Sequence, residues 1–126
     1  MYRKNAYYKY LFVIAAIWNV AFALGSLFLT RQFLEMFGLQ TPNNLVWLQL
    51  FFALVLVFGL GYYWVSRDLN NNRAIVVLGI VGKSLVFLIF AYHWMVGDIP
   101  TLVALAGSGD LLFAALFLEF IFKYKA

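Results

Sequence analysis

Residues 74–96 read AIVVLGIVGKSLVFLIFAYHWMV, and this stretch decides the fold. It carries one charged side chain, Lys83, in an apolar run that is long enough to cross a bilayer, for which an α-helix needs about 20 residues. Three more runs of similar length and character lie at 10–29, 45–65 and 101–122. The sequence therefore predicts an all-α membrane protein, an antiparallel bundle of four transmembrane helices that forms a single domain over residues 1–126.

The composition excludes the main alternatives to a membrane protein. Hydrophobic residues make up 66% of the chain and charged residues 11%, whereas a soluble domain has about 45–50% and about 25%. A water-soluble monomer could not cover its surface with so few charges, and a disordered chain would need low hydrophobicity and high charge. The net charge of +4 does not indicate a nucleic-acid partner, because the basic residues flank the apolar runs.

Few residue types that perform chemistry are present. The chain has no cysteine and one histidine, His93, so it offers neither a disulfide nor a thiolate metal site. No phosphate-binding, zinc-protease or hydrolase motif is complete. We therefore predict no catalytic residue, no metal site and no cofactor.

The distribution of Lys and Arg predicts the orientation. With four crossings, one side of the membrane receives seven basic residues and the other side only Arg31. Basic residues concentrate in cytoplasmic segments, so both termini are expected in the cytoplasm. The seven residues are Arg3, Lys4, Lys9, Arg67, Arg73, Lys123 and Lys125.

The segment between the first two spans has an amphipathic pattern. Over residues 30–40, three apolar side chains fall on one side of a helix and three polar ones on the other, and Gly38 and Pro42 follow. This predicts a short helix lying along the membrane surface. Such a helix is either a packed connector or a lid over a pocket.

Two opposite charges lie near the middle of predicted spans. A charged side chain at mid-span costs about 2.5–3.5 kcal/mol on insertion scales, so each needs a partner. Lys83 and Asp110 fall within about 5 Å of the same depth at the helical rise, and Asn19 lies at a similar depth. We predict a Lys83–Asp110 pair with Asn19 as a third member. The pair either fixes helix register or forms the polar floor of a cavity.

Further residues complete the expected ligand site. Gln49 would assist the polar anchor from the non-cytoplasmic side, and steps of three and four residues from the two charges reach aromatic side chains that would line an apolar wall. These aromatic residues are Phe87, Phe90, Phe113 and Phe117. The run Gly107-Ser108-Gly109 before Asp110 indicates either a broken helix or a groove for close packing.

Several short motifs lie near the ends and centres of the predicted spans. They are Phe37-Gly38 with Pro42, Gly59 to Tyr62, Asn72-Arg73, Gly82-Lys83, Gly97 with Pro100, and Gly109-Asp110 followed by Phe113 and Leu116-Phe117. Together they resemble small bacterial DoxX-like integral membrane proteins over most of the chain from about Phe33 onward. The resemblance implies a compact antiparallel four-helix bundle in a bacterial inner membrane. It implies little about chemistry.

Three functions remain open at this level. The first is a membrane protein that binds a hydrophobic small molecule, such as a lipid or quinone, or serves as an accessory subunit, with Lys83 and Asp110 as its polar anchor. The second is a proton- or ion-coupled transporter, expected as a homodimer because four spans enclose little volume. The third is a structural subunit of a larger membrane complex.

Overall fold

The computed structural model describes residues 2–124, with side chains from Asn5 to Tyr124. The side chains of Arg3, Lys4 and Lys125, counted above for the orientation, lie outside this part. Five helices follow one another: α1 (Tyr2–Phe28), α2 (Thr30–Met36), α3 (Val46–Arg67), α4 (Arg73–Met95) and α5 (Thr101–Lys123). Four of them, all except α2, are long and apolar enough to cross a membrane, so the predicted class and the short helix after the first span are confirmed.

The helices end where the sequence supplies turn residues. Gly38 and Gly97 adopt positive φ angles of 78° and 85° after α2 and α4, a backbone conformation that residues with a Cβ atom rarely adopt. Between α3 and α4, the Asp68 carboxylate accepts hydrogen bonds from the backbone and side chain of Asn71. The side-chain bond holds the pKa of Asp68 below its ordinary value. These turns reverse the chain and give the antiparallel order.

The four spanning helices form two close pairs. α1 packs along α3, and α4 packs along α5, whereas the contacts between the two pairs are far fewer. We call the end of the bundle that contains Tyr8, the α3–α4 turn and Tyr124 the terminal end, and the opposite end the α2 end. The looser association between pairs leaves space inside the bundle toward the α2 end.

Aromatic side chains fill the terminal half. Phe12, Phe117 and Phe120 are fully buried, and the ring of Phe12 stacks on that of Phe117 with centroids 4.8 Å apart. Arg73 donates to the carbonyl oxygens of Ile121 and Tyr124, which satisfies acceptors left free at the end of α5. This half is therefore a packed aromatic core.

Glycines allow the helices to approach closely. A Cβ atom on Gly109 would lie 2.6 Å from the Trp18 ring of α1, and one on Gly107 would lie 2.9 Å from Phe90 of α4. Because α5 runs through this segment as one helix, the glycines form a packing groove rather than a break. Of the two predicted alternatives, a broken helix or a groove for close packing, the groove is confirmed. This close packing brings Asp110 against α4.

Candidate functional site

Lys83 and Asp110 form an ion pair at the centre of the bundle. The Nζ atom of Lys83 lies 2.6 Å from Oδ1 of Asp110, and the Lys83 side chain is only 5% exposed while that of Asp110 is 20% exposed. The predicted pairing is confirmed. α4 and α5 present these residues to each other because both lie near the middle of antiparallel helices of 23 residues, with small residues beside them.

Asn19 extends the pair to the other two spans. Its Oδ1 accepts a hydrogen bond from Lys83 Nζ at 3.0 Å, as predicted for a third member. Its Nδ2 donates to the backbone carbonyl of Val55 on α3 at 3.1 Å. One network therefore joins all four spanning helices at one depth, and its bonds are stronger in this low-dielectric surrounding than in water.

Two aromatic rings cover the remaining sides of the Lys83 ammonium. Nζ lies 5.3 Å from the ring centroid of Phe113 and 5.4 Å from that of Tyr62, within the range of a cation–π contact. Tyr62 is almost fully buried and fits against Gly79, where an added Cβ would lie 2.8 Å from its hydroxyl. Tyr62 was not among the predicted site residues, although Gly79, four residues before Lys83, leaves room for a large side chain.

A cavity of about 590 Å³ begins at this network and extends to the α2 end. Its polar floor consists of Asn19, Lys83 and Asp110, and aromatic and aliphatic side chains from all five helices form its walls. This combination of an apolar wall with a few convergent polar groups is typical of small-molecule sites. The aromatic wall residues are Trp18, Phe22, Phe33, Phe37, Phe51, Phe52, Phe58, Tyr62 and Phe90.

Helix α2 closes part of the α2 end of the cavity. Leu34 is buried, and Phe33 and Phe37 line the cavity beside it. On the opposite side of α2, Arg31 and Glu35 are well exposed, and Nε of Arg31 lies 4.0 Å from Oε1 of Glu35. The helix thus has the amphipathic arrangement that the sequence predicted, and its apolar side forms a wall of the cavity.

The exposure of two lining residues indicates a lateral opening of the cavity between α3 and α4. Most of its lining residues are buried or half-buried, but Leu54 of α3 is 61% exposed and Ile89 of α4 is 56% exposed. Both lie in the apolar middle of their helices, between the Lys83 level and the α2 end. In a bilayer this opening would face lipid chains.

The structure brings half of the predicted site residues to the cavity. Asn19, Lys83, Asp110 and Phe90 line it. Phe113 instead covers the ammonium of Lys83, and Phe117 is part of the filled core in the terminal half. The remaining two, Gln49 and Phe87, are exposed and half-buried respectively and lie outside the lining.

Polar groups at the α2 end are separate from this site. His93 Nδ1 and Asp98 Oδ2 are 2.7 Å apart and share a hydrogen bond on the exposed surface. Neither residue lines the cavity. Within the described part of the chain, no group of three His, Asp or Glu side chains is placed to hold a metal ion.

Comparisons with protein-family models, with curated proteins and with solved structures gave no match to this chain. The resemblance to DoxX-like proteins therefore stays a prediction from the motifs.

Proposed function

We propose that this membrane protein binds a hydrophobic small molecule, a lipid or a quinone, in the cavity between its two helix pairs. The observation that carries the proposal is the single polar floor, formed by Asn19, Lys83 and Asp110, at the inner end of an otherwise apolar cavity. A ligand with one polar end and an apolar body matches this distribution. Its apolar part would contact the aromatic walls while its polar end reached the floor.

The size of the cavity supports a ligand of moderate mass. If each non-hydrogen atom of the ligand takes about the volume of a water molecule, about 30 Å³, then 590 Å³ accommodates about 20 such atoms. This matches one acyl chain or a short-chain quinone. A lipid with two long chains would have to leave part of itself outside.

The packing of the terminal half favours binding over the other two functions. A carrier must open its site alternately to both sides of the membrane, whereas buried aromatic side chains, Phe12, Phe117 and Phe120 among them, close the terminal half here. A purely structural subunit would be expected to have a dry interior. A cavity that contains charged residues and is closed toward the terminal end supports neither alternative.

We further propose that the ligand enters sideways from the membrane. The opening at Leu54 and Ile89 lies at the depth of the hydrocarbon region, and both residues are apolar. An apolar ligand already dissolved in the bilayer would reach the cavity there without crossing water.

The orientation is proposed from the distribution of basic residues. With both termini in the cytoplasm of a bacterium, the cavity lies in the outer half of its inner membrane, and α2 lies at the external surface. Since the chain has no cysteine, the variants Thr41→Cys and Asn71→Cys each carry one thiol. An impermeant maleimide should label Thr41→Cys in intact cells and Asn71→Cys only after lysis; the reverse pattern would contradict the orientation.

The binding function is tested by filling the cavity. Ala106 lines it, so Ala106→Trp should occupy it, whereas the next residue, Leu105, is 60% exposed on the outer face and Leu105→Trp serves as the matched control. We expect native mass spectrometry to find a lipophilic molecule bound to the wild type and to Leu105→Trp but absent from Ala106→Trp. Equal occupancy in both variants, or none in the wild type, would contradict the proposal.

A further inference from the structure

The Asp110 carboxylate at the cavity floor has one oxygen without a hydrogen-bond partner. Asp110 uses Oδ1 for Lys83, while its Oδ2 makes no hydrogen bond to any side chain or backbone group among the described residues. Asp110 lines the cavity and keeps 20% of its side chain exposed. A carboxylate oxygen is an acceptor, so the cavity offers its occupant a place for a hydrogen-bond donor.

The ammonium beside it is already engaged. Lys83 has three N–H donors; one is directed to Asp110 and one to Asn19. The rings of Tyr62 and Phe113 cover its other sides. The Lys83 ammonium therefore has little capacity left to donate to a ligand. The hydroxyl of Tyr62, which also lines the cavity, has no hydrogen-bond partner among the described residues and remains available as a donor, so a ligand group that both donates and accepts fits the floor.

The charge of the cavity restricts the ligand further. Among the described residues that line it, Lys83 and Asp110 are the charged ones, and their charges are opposite. An anionic headgroup would approach the Asp110 carboxylate in a low-dielectric surrounding, and a cationic one would approach the Lys83 ammonium. Either would leave a net charge among apolar walls, which is costly. The arrangement favours an uncharged ligand.

We propose that the ligand is a single-chain lipid alcohol whose hydroxyl group donates a hydrogen bond to Oδ2 of Asp110. This inference rests on the proposed binding function and narrows it. A hydroxyl group supplies the donor that Oδ2 of Asp110 lacks, and a single chain fits the volume. A quinone, a ketone or an ester carries acceptors without a donor and leaves the Asp110 oxygen unpaired.

The test uses Trp18, which lies in the cavity wall. The other three tryptophans, Trp47, Trp64 and Trp94, are exposed by 75%, 66% and 47%, so each can be changed to Phe with little loss of packing. The resulting variant, with Trp18 alone, reports quenching by bromine inside the cavity. A second variant that retains only Trp47 reports quenching by bromine in the surrounding detergent or lipid.

Three probes share one long chain brominated at its middle and differ in the head: an alcohol, its methyl ether and its sulfate. We expect the alcohol to quench Trp18 at a concentration about tenfold lower than the ether or the sulfate, since a hydrogen bond to a charged acceptor contributes about this factor. All three should quench Trp47 alike. In the double variant Lys83→Met with Asp110→Leu, the advantage of the alcohol over the ether should disappear.

The outcomes distinguish failure of the hydroxyl assignment from failure of the binding function. Equal quenching of Trp18 by all three probes, saturable and absent for Trp47, would overturn the hydroxyl assignment and leave the binding function standing. If the quenching of Trp18 rises only in parallel with that of Trp47, both the hydroxyl assignment and the binding function are overturned. If an unbrominated quinol displaces the brominated alcohol at lower concentration than an unbrominated alcohol does, the lipid assignment is overturned in favour of a quinol.

Discussion

Lys83 is the residue on which the centre of the bundle depends. Replacing it with Met removes one charge and leaves the Asp110 carboxylate in an apolar surrounding with its main partner lost. Breaking a buried pair in this way typically costs about 3–5 kcal/mol. Because Asp110 still faces the cavity with 20% of its side chain exposed, we expect a loss of about 3 kcal/mol in the free energy of unfolding. Equilibrium unfolding in mixed micelles with increasing denaturing detergent measures this loss.

The double variant Lys83→Met with Asp110→Leu is the control for that measurement. Replacing both charges with apolar side chains removes the orphaned carboxylate as well as the attraction, so the loss should be smaller than in the single variant. A single variant as stable as the wild type would show that the ion pair contributes nothing to the fold. A double variant less stable than the single one would contradict the explanation by an unpaired charge.

The sequence predicted this network because a charge in hydrocarbon requires a partner. Lys83, Asp110 and Asn19 are the polar residues at matching depths, and few other combinations were possible. The acceptor for Asn19 could not be predicted, since it is a backbone carbonyl, that of Val55. Tyr62 was missed because hydropathy and span position do not tell which helix face an aromatic residue occupies.

At the scale of the helices, α4 contains a matched pair of glycines. Gly79 faces the buried ring of Tyr62, and an added Cβ would lie 2.8 Å from it, whereas one on Gly82 would meet no atom within 4 Å. We expect Gly79→Ala to lower the free energy of unfolding by about 1–3 kcal/mol through overpacking. Gly82→Ala should be neutral or stabilising, because Ala favours a helix by up to about 1 kcal/mol over Gly.

The same unfolding assay compares these two variants. Since both change Gly to Ala within one helix, the difference between them isolates the contact with Tyr62. Equal stability would show that α3 and α4 separate readily at this point. That result would contradict the tight contact between the helix pairs near the terminal end.

The helices themselves were largely predictable, and their rotations were not. Apolar length gave four spans whose bounds agree with the structure within a few residues, except that α1 begins at Tyr2 instead of near Tyr10, because polar residues extend a helix beyond the hydrocarbon. Which side of each helix faces the cavity depends on how far apart the two helix pairs stand. For this reason Phe117 lies in the filled core rather than at the cavity, and Gln49 turns to the outside beside Leu48, which lines the cavity.

The whole molecule differs between its two halves along the membrane normal. The terminal half holds a dense aromatic core, and the α2 half holds the cavity, which starts at Lys83 and Asp110 and is covered by α2. We expect this packed half to keep the polar floor in position while the helices that surround the cavity in the other half move apart. Motion of α3 relative to α4 is therefore the step that we expect to control ligand exchange.

This expectation predicts that obstruction of the lateral opening slows exchange. In the variants Leu54→Cys and Ile89→Cys, a bulky maleimide on the single thiol would stand between α3 and α4. Leu50 and Leu88 are similarly exposed, at 53% and 60%, and do not line the cavity, so Leu50→Cys and Leu88→Cys are the matched controls. We expect labelling at 54 or 89 to slow the quenching of Trp18 by the brominated alcohol severalfold in stopped-flow measurements, without changing the final level.

Comparing the rate of Trp18 quenching with its final level distinguishes a label that blocks the entry route from one that fills the binding site. A label that merely occupied the cavity would lower the final quenching, whereas one that blocks the route slows entry and release together and leaves the equilibrium unchanged. Equal rates for all four labelled variants would exclude the passage between α3 and α4. The ligand would then have to enter past α2, and a label on Met36→Cys, which is 64% exposed, should slow exchange instead.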